Sequence, residues 1–158
     1  MRNKIFDIEK IIVLTESFRK KGKTFVLTNG CFDILHLGHI AYLREAKKLA
    51  DYLIVALNND ESVGKLKGNN RPFQNEESRL EILAELRCVD YVFLFSDMTE
   101  VIESIKPELY AKGGDYTIDT INQNERKLME DYGGKIKILS GVAGVSTSNI
   151  IDRLKNNF

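Results

Sequence analysis

Short apolar segments alternate with amphipathic segments along the whole chain of 158 residues, and this alternation restricts the possible folds more than any other feature. Apolar residues at helical spacing indicate helices that bury one face, whereas short β-branched runs indicate buried strands. Strands that alternate with helices form a parallel sheet, so we predict a single α/β domain. The predicted strands are residues 24–28, 52–57, 91–95, 109–111 and 135–139, and the predicted helices are residues 7–21, 37–50, 76–87, 99–105, 122–132 and 146–155.

The charge balance and the cysteine content narrow the class of protein. The 23 Lys and Arg residues equal the 23 Asp and Glu residues, so we do not expect a dedicated DNA- or RNA-binding protein. Two cysteines, Cys31 and Cys88, and an N-terminus without a cationic and then apolar leader predict reduced thiols and a cytoplasmic location. The longest apolar runs, such as residues 53–57, are too short to cross a membrane. Any anionic partner is therefore expected to be a small molecule that binds locally.

The segment after the first predicted strand carries both histidines of the chain, His36 and His39. In open parallel sheets, ligands bind beyond the carboxyl ends of the strands. The two imidazoles share one face at the start of a predicted helix, where free N–H groups favour a phosphate and Gly38 lets a ligand approach the backbone. We interpret the pair as a phosphate-binding site. The alternatives are one core and one surface histidine, or a metal pair, for which zinc would require further ligands.

The stretch of residues 58–75 after the second strand is long for a connection and holds the cations Lys65, Lys67 and Arg71. A charge run in a loop is commonly a solvated surface. Because this stretch follows a strand, however, it is expected at the same edge of the sheet as the histidines, where its cations could close over a triphosphate. Arg79 lies on the next predicted helix, and a surface ion pair is the alternative for it.

Two later segments carry further candidates at strand ends. Residues 112–115 combine a lysine, two glycines and an aspartate, which is more than a simple turn requires. Residues 144–148 open the last predicted helix, where hydroxyl groups are either N-caps or donors to a phosphate. Cys31 lies near the histidines and is an alternative nucleophile, although a small residue packed beside the turn explains it equally well.

Residues 28–39, TNGCFDILHLGH, match the G-x-F-D-x-x-H-x-G-H signature of a nucleotidyltransferase superfamily that includes glycerol-3-phosphate cytidylyltransferase, phosphopantetheine adenylyltransferase and, more distantly, class I aminoacyl-tRNA synthetases. With LKGNNRP at 66–72, AKGGDY at 111–116 and GVSTSNII at 144–151, the chain resembles the adenylyltransferase domain of ADP-heptose synthases. This resemblance implies a Rossmann-like three-layer domain over residues 1–158. A five-stranded parallel sheet would carry helices on both faces, with residues 1–22 providing an N-terminal helix packed on it.

The resemblance also assigns roles to residues. It implies that His36, His39 and Lys67 are catalytic. The implied nucleotide-binding residues are Asn29, Gly30, Cys31, Phe32, His36, Gly38, His39, Lys67, Val142, Gly144, Val145, Ser146 and Thr147. The implied residues for the second substrate are Asp33, Lys65, Arg71, Arg79, Lys112, Gly114, Asp115 and Tyr116. Relatives that act on glycerol phosphate carry an arginine shortly before the Ser-Thr motif, where this chain has residues 140–143, SGVA, and this departure weakens a glycerol-phosphate interpretation.

The activity implied by the resemblance is transfer of AMP from ATP to D-glycero-D-manno-heptose 1-phosphate. Pyrophosphate would leave, and the ADP-heptose would serve surface polysaccharide synthesis, such as that of lipopolysaccharide. Mg²⁺ would be held by substrate phosphates rather than by direct protein ligands. The resemblance further implies a free-standing, homodimeric transferase without nucleic-acid or membrane partners. A cytidylyltransferase for glycerol 3-phosphate or another small phosphate is the alternative enzyme, and a nucleotide-binding regulator without turnover is the alternative outside enzymes.

Overall fold

Five parallel strands form one sheet in the computed structural model, which describes residues 3–114 and 116–157. The order across the sheet is β3-β2-β1-β4-β5, and every neighbouring pair is parallel. The strands are β1 (Phe25–Gly30), β2 (Tyr52–Asn58), β3 (Tyr91–Phe95), β4 (Leu109–Gly113) and β5 (Lys135–Leu139). The helices are α1 (Ile8–Lys20), α2 (Leu37–Lys47), α3 (Asp60–Lys67), α4 (Glu76–Glu85), α5 (Met98–Ile105), α6 (Gln123–Asp131) and α7 (Thr147–Asn157). The predicted α/β class and five-stranded parallel sheet are confirmed.

Helices cover both faces of the sheet, because alternate side chains of each central strand point to opposite sides. One core cluster joins Leu27 and Ile54 of the sheet to α1, α5 and α6, and it includes Ile11 and Phe18 of α1. The other core cluster joins Val26 and Val55 to α2 and α4. Strands β1, β2 and β3 are buried on both faces, which explains their continuous apolar runs, whereas β5 at the sheet edge has no buried residue.

Most helices begin at a side chain that accepts a backbone N–H of the first turn. The capping residues are Asp7, Asn59, Asn75, Asp97 and Asn122, at the starts of α1, α3, α4, α5 and α6 respectively. Such caps satisfy donors that the helix itself leaves free, and each contributes about 1 kcal/mol. Helix α2 differs, because His36 occupies its N-cap position without a capping hydrogen bond.

The prediction of a loop over residues 58–75 is wrong for its first half. Residues Asp60–Lys67 form α3, so Lys65 and Lys67 lie on a helix. The Asn59 cap and the acidic residues Asp60 and Glu61 in the first turn favour this helix, and they outweigh the polar, glycine-containing composition on which the loop prediction rested.

Strand β1 extends beyond the predicted residues 24–28, since Asn29 and Gly30 also belong to it and pair with Ala56 and Leu57 of β2. Strand β4 likewise continues to Gly113 and contains Lys112. These extensions move Asn29 and Lys112 into the sheet, where neighbouring strands fix the backbone. Asp115 lies outside the described residues.

The strand order places a crevice at the centre of one sheet edge. The chain runs from β1 outward to β2 and β3, and then crosses back to place β4 on the other side of β1. Connections therefore leave β1 and β4 in opposite directions, which opens a ligand-binding crevice beyond their carboxyl ends. The histidine segment follows β1, and Lys112 lies near the end of β4.

Candidate active site

A cavity of about 1350 Å³ opens at the carboxyl ends of the strands. Segments that follow β1, β2, β3, β4 and β5 all contribute to its wall, so residues far apart in the chain meet there. The predicted site residues that line it are Asn29, Gly30, Cys31, Phe32, Asp33, His36, Gly38, His39, Lys65, Lys67, Arg71, Lys112, Gly114, Tyr116, Val142, Gly144, Val145, Ser146 and Thr147. Arg79 is not among the lining residues.

The two histidines stack on each other at the N-terminus of α2. Their ring centroids are 3.8 Å apart, and Phe32 packs beside His39 at a centroid distance of 5.1 Å. Burial lowers the pKa of His39 to about 4, with a further contribution from His36, and burial also lowers the pKa of His36. Both imidazoles are therefore neutral near pH 7 in the free protein. Their Nδ1 atoms are buried and have no hydrogen-bond partner within the described part of the chain.

The N-terminus of α7 lies beside the N-terminus of α2. A Cβ atom added to Gly38 would come within 3.3 Å of the Val145 carbonyl oxygen, which shows how closely the two helix starts approach. Ser146 accepts the Asn149 N–H at 3.1 Å, so the N-cap interpretation of this hydroxyl is confirmed. Two helix N-termini that converge on one cavity provide free N–H groups and a positive potential for an anion.

Asp33 anchors the loop between β1 and α2 rather than offering a free carboxylate. Its oxygens accept from Arg71 Nε at 2.7 Å and from the backbone N–H groups of Phe73 and Gln74 at 2.9 and 3.0 Å. Burial alone would raise the pKa of Asp33, but these hydrogen bonds outweigh burial and lower it. The carboxylate is therefore committed to holding residues 71–74 over the cavity edge.

The three cations of the α3 region differ in their partners. Arg71 donates to Asp33, and its guanidinium lies 4.7 Å from the centre of the Phe73 ring. Lys65 pairs with Glu61 at 2.5 Å, and both side chains are about three-quarters exposed. Lys67 lines the cavity and has no ion-pair partner among residues 3–114 and 116–157. Of the three, Lys67 is the one without an ion-pair partner in the described ranges.

Arg79 was predicted to bind a substrate, but its position in the structure does not fit that role. Its side chain is fully buried, which also excludes a solvated surface ion pair. The guanidinium donates to the carbonyl oxygens of Cys31 and Asn58 at 2.7 and 2.8 Å, to that of Gln74 at 3.0 Å, and to Asp60 at 2.7 Å. A guanidinium surrounded by protein acceptors, away from the cavity wall, has no access to a ligand.

Glu125 is a site residue that the sequence analysis missed. Its Oε2 atom accepts from Tyr110 at 2.9 Å and lies 3.4 Å from Lys112 Nζ, while Lys112 also donates to Asn29 at 3.0 Å. Burial lowers the pKa of Lys112, and Glu125 opposes that effect. The available signal was an acidic residue in the first turn of the helix that follows β4. Tyr116 lies nearby, with its ring centre 5.5 Å from Lys112 Nζ.

Cys31 does not have the properties of an activated nucleophile. Burial raises the pKa of its thiol, and nearby cations such as Lys67 only partly compensate. Its Sγ atom lies 3.9 Å from Asn58 Oδ1, in a wall position between strand ends. The packing interpretation therefore fits Cys31 better than nucleophilic catalysis. Over the described ranges, no group of three or more His, Cys, Asp or Glu side chains is arranged to hold a metal ion.

The assembled cavity can bind a polyphosphate and stabilise charge on it. The imidazoles of His36 and His39, two helix N-termini and Lys67, which has no ion-pair partner in the described ranges, line the same space. Donors that are fixed before the ligand arrives need little reorganisation when negative charge moves between phosphate oxygens. None of the helices in the described parts of the chain is long and apolar enough to span a membrane.

Comparison with known proteins identifies the family to which the chain is similar. Residues 27–153 match the family described as cytidylyltransferase-like. The chain is 46% identical over 158 residues to the bifunctional protein HldE of Pelobacter propionicus, covering 99% of this chain and 32% of that protein. It is 44% identical over 152 residues to HldE of Syntrophotalea carbinolica, covering 95% of this chain and 31% of that protein. The chain thus spans about a third of the length of the curated relatives it matches.

Solved structures support both the fold and the family. The lipopolysaccharide core biosynthesis protein from Thermoplasma volcanium is 34% identical with a TM-score of 0.63, and the match covers 77% of this chain and 98% of that chain. The pantoate-beta-alanine ligase from Francisella tularensis is 18% identical with a TM-score of 0.65, over 96% of this chain and 76% of that chain, and at this identity it supports the fold alone. The predicted resemblance is therefore confirmed, and the chain belongs to the cytidylyltransferase-like family of nucleotidyltransferases.

Proposed function

We propose that the protein transfers AMP from ATP to D-glycero-D-manno-heptose 1-phosphate, releasing pyrophosphate and forming ADP-heptose. The observation that carries the reaction is the stacked pair His36 and His39, which lines the cavity at the N-terminus of α2 together with Lys67. The choice of sugar phosphate is supported by the similarity to HldE and to a lipopolysaccharide core biosynthesis protein.

The proposed reaction is a direct displacement at the α-phosphorus of ATP. A phosphate oxygen of the sugar 1-phosphate forms the new P–O bond, and the bond between the α-phosphorus and the bridging oxygen breaks as pyrophosphate leaves. The attacking phosphate is already ionised near pH 7, so no general base is required. Catalysis then consists of positioning and of stabilising charge on the oxygens.

Three side chains act on the phosphates of ATP in this proposal. His36 and His39, at the start of α2, donate to triphosphate oxygens, and their low pKa values rise when the anion binds. Lys67 neutralises charge that develops on the leaving pyrophosphate. The backbone of residues 142–145 lies at the cavity wall and is assigned to the nucleotide base.

Mg²⁺ enters this proposal as part of the substrate. The lining carboxylates Asp33, Asp97 and Glu125 each already accept a hydrogen bond from a protein donor, so this donor set suits an ion held by phosphate oxygens and water. The ion would supply additional charge neutralisation at the triphosphate. The residues of this chain then bind and orient the complex of ATP with its counterion.

The alternative is a cytidylyltransferase that acts on glycerol 3-phosphate, which the family description keeps open. A matrix of ATP, CTP, GTP and UTP against heptose 1-phosphate, hexose 1-phosphates and glycerol 3-phosphate separates the two functions. Pyrophosphate release is measured, and the nucleotide sugar is identified by mass. We expect turnover with ATP and heptose 1-phosphate. Turnover with CTP alone, or with glycerol 3-phosphate alone, would overturn the proposal.

The family resemblance also supports a homodimer as the working state. Sedimentation equilibrium of the purified chain, with and without ATP, measures the mass directly. A mass near 36 kDa is expected, twice the 18.0 kDa of one chain, whereas a monomer at all concentrations would contradict this part of the proposal.

A further inference from the structure

Arg79 is the largest fully buried side chain among the described residues, and burial of a charged group of this size requires an explanation. Moving a guanidinium out of water is costly unless hydrogen bonds replace the lost hydration, and an apolar side chain of similar size often stabilises a core as well or better. Arg79 uses four of its five N–H donors on protein acceptors, of which three are backbone carbonyl oxygens. The four hydrogen bonds of Arg79 therefore fix the relative positions of the segments that it contacts, rather than maximise the stability of the fold.

The acceptors of Arg79 come from separate segments of the cavity wall. Cys31 belongs to the loop between β1 and α2 that leads to the histidines, and its carbonyl oxygen is 2.7 Å from Arg79 Nη1. Asn58 ends β2, and its carbonyl oxygen accepts from the same nitrogen at 2.8 Å. Gln74 belongs to the segment that is held by Asp33. One guanidinium thus ties together the loop after β1, the end of β2 and the segment before α4.

The fourth acceptor connects Arg79 to the helix that carries Lys67. Asp60, the first residue of α3, accepts from Arg79 Nη2 at 2.7 Å, and its backbone N–H donates to Glu76 Oε2 at 2.7 Å. Helix α3 buries only Ser62 and Val63, so apolar packing holds it weakly. The start of α3 is fixed by these contacts from α4, together with hydrogen bonds from the Asn59 N–H to the Phe95 carbonyl oxygen and from Asn58 Nδ2 to Ser62 Oγ. The placement of Lys67 at the other end of α3 depends on these contacts.

We propose that Arg79 is a positioning residue, which acts through Lys67 by holding α3 and the histidine loop in a fixed relative position. This inference rests on the proposed nucleotidyl transfer. Arg79 does not touch a substrate in this role. Its loss is expected to misplace the Lys67 charge relative to the triphosphate, and small displacements of a charge-stabilising group have large effects on rate.

A double-mutant cycle on the full chain tests the proposal. Arg79→Ala is expected to lower kcat by about 10- to 100-fold, and Lys67→Ala by about 100-fold. Because both changes remove the same contribution, the double variant is expected within threefold of Lys67→Ala alone. Leu83→Ala, in the buried face of the same helix, is the matched control for lost stability, and its effect on kcat is expected to be small and to multiply with that of Lys67→Ala.

A conservative substitution and a chemical rescue distinguish a loss of positioning from a loss of folding stability. Arg79→Lys keeps the charge but cannot reach four acceptors, so its kcat is expected near that of Arg79→Ala. Guanidinium ion in the tens of millimolar is expected to restore Arg79→Ala and not Leu83→Ala. Where Arg79→Ala does not fold, Asp60→Asn provides the same cycle, since Asp60 is partly exposed and contacts Arg79 directly. Multiplicative effects of Arg79 and Lys67, or equal losses in Arg79→Ala and Leu83→Ala at matched melting temperature, would overturn the proposal.

The test also distinguishes this inference from the proposed function. A wild-type protein that releases no pyrophosphate with any acceptor contradicts the proposed transfer. In that case, the same cycle is measured on the Kd for ATP by titration calorimetry, where non-additive losses still support Arg79 as the positioning residue and additive losses contradict it.

Discussion

His36 and His39 stack at a centroid distance of 3.8 Å and an interplanar angle of 23°, with both Nδ1 atoms buried and unpartnered within the described ranges. Such a pair would be unstable if both rings were charged, and burial keeps them neutral in the free protein. Both residues line the cavity, where an anion can accept a hydrogen bond from a neutral imidazole N–H. The relationship between the two histidines is therefore the most specific indication of phosphate binding in the molecule.

Replacement of His39 tests the catalytic part of this interpretation. His39→Ala is expected to lower kcat by about 100- to 1000-fold, because a fixed donor to the reacting phosphate is lost. Pyrophosphate release with ATP and heptose 1-phosphate measures the effect, and thermal unfolding verifies that the variant is folded. Turnover near the wild-type rate in a folded variant would remove His39 from the proposed mechanism.

The low pKa of His39 predicts proton uptake when ATP binds. At pH 6 the free protein holds this imidazole neutral, since its pKa is about 4, whereas a bound triphosphate stabilises the protonated form. Calorimetric titrations at pH 6 in two buffers of different ionisation enthalpy are expected to show net uptake of protons. His39→Ala is expected to reduce that uptake, and an unchanged value would contradict the assignment.

The same pKa predicts how stability changes with pH. The unfolded chain has His39 at its ordinary pKa of 6.5 and the folded chain at about 4, so the unfolded state binds more protons between these values. The contribution of His39 to the free energy of unfolding is therefore expected to decrease as the pH falls from 6.5 to 4. Urea unfolding across this range should show a smaller decrease for His39→Ala than for the wild type.

Lys65 and Lys67 lie two residues apart on α3 and provide a matched comparison. Lys67→Ala is expected to lower kcat, and with it kcat/KM, by about 100-fold, because Lys67 lines the cavity and has no ion-pair partner in the described ranges. Lys65→Ala is expected to change kcat/KM by less than about threefold, since Lys65 already forms an exposed ion pair with Glu61. Equal losses in the two variants would contradict the distinction.

The buried cluster around Lys112 predicts a stability effect at Glu125. Glu125→Gln is expected to lower the free energy of unfolding by about 1–3 kcal/mol, because it leaves Lys112 without a compensating charge in a buried site. Glu130→Gln, on the same helix, removes an ion pair with Arg126 in which the Glu130 side chain is 60% exposed, and it is expected to cost less than about 0.5 kcal/mol. Urea titrations of both variants measure the difference.

Gly113 is required by the close approach of Tyr42. A Cβ atom at this position would lie 2.5 Å from the Tyr42 ring, and that ring is buried with its hydroxyl bonded to the Ala111 carbonyl oxygen at 2.9 Å. Gly113→Ala is therefore expected to lower the free energy of unfolding by about 1–3 kcal/mol. Gly141→Ala is the control, because the nearest atom to its Cβ would be 3.6 Å away and its expected effect on melting temperature is small.

Apart from α3, the order of the elements and the location of the candidate site could be predicted from local patterns. Apolar runs such as residues 52–57 require burial on both faces, and parallel strands bring their carboxyl ends to one edge, so His36 and Lys112 were expected near one another. The phosphate-binding interpretation of the histidine pair likewise needed only their spacing and their place at a helix start. These features depend on short-range periodicity, which the sequence expresses directly.

Tertiary contacts alone decided which charged residues line the cavity and which are engaged by other residues of the protein. The family resemblance presents Lys67, Arg79 and Asp33 as similar candidates. Within the described ranges, Lys67 lines the cavity without an ion-pair partner, Arg79 is fully buried, and Asp33 accepts from backbone N–H groups. Glu125 is placed beside Lys112 by the packing of α6 against the sheet. A charge becomes available or committed through partners that are distant in the chain, and local sequence carries no information about those partners.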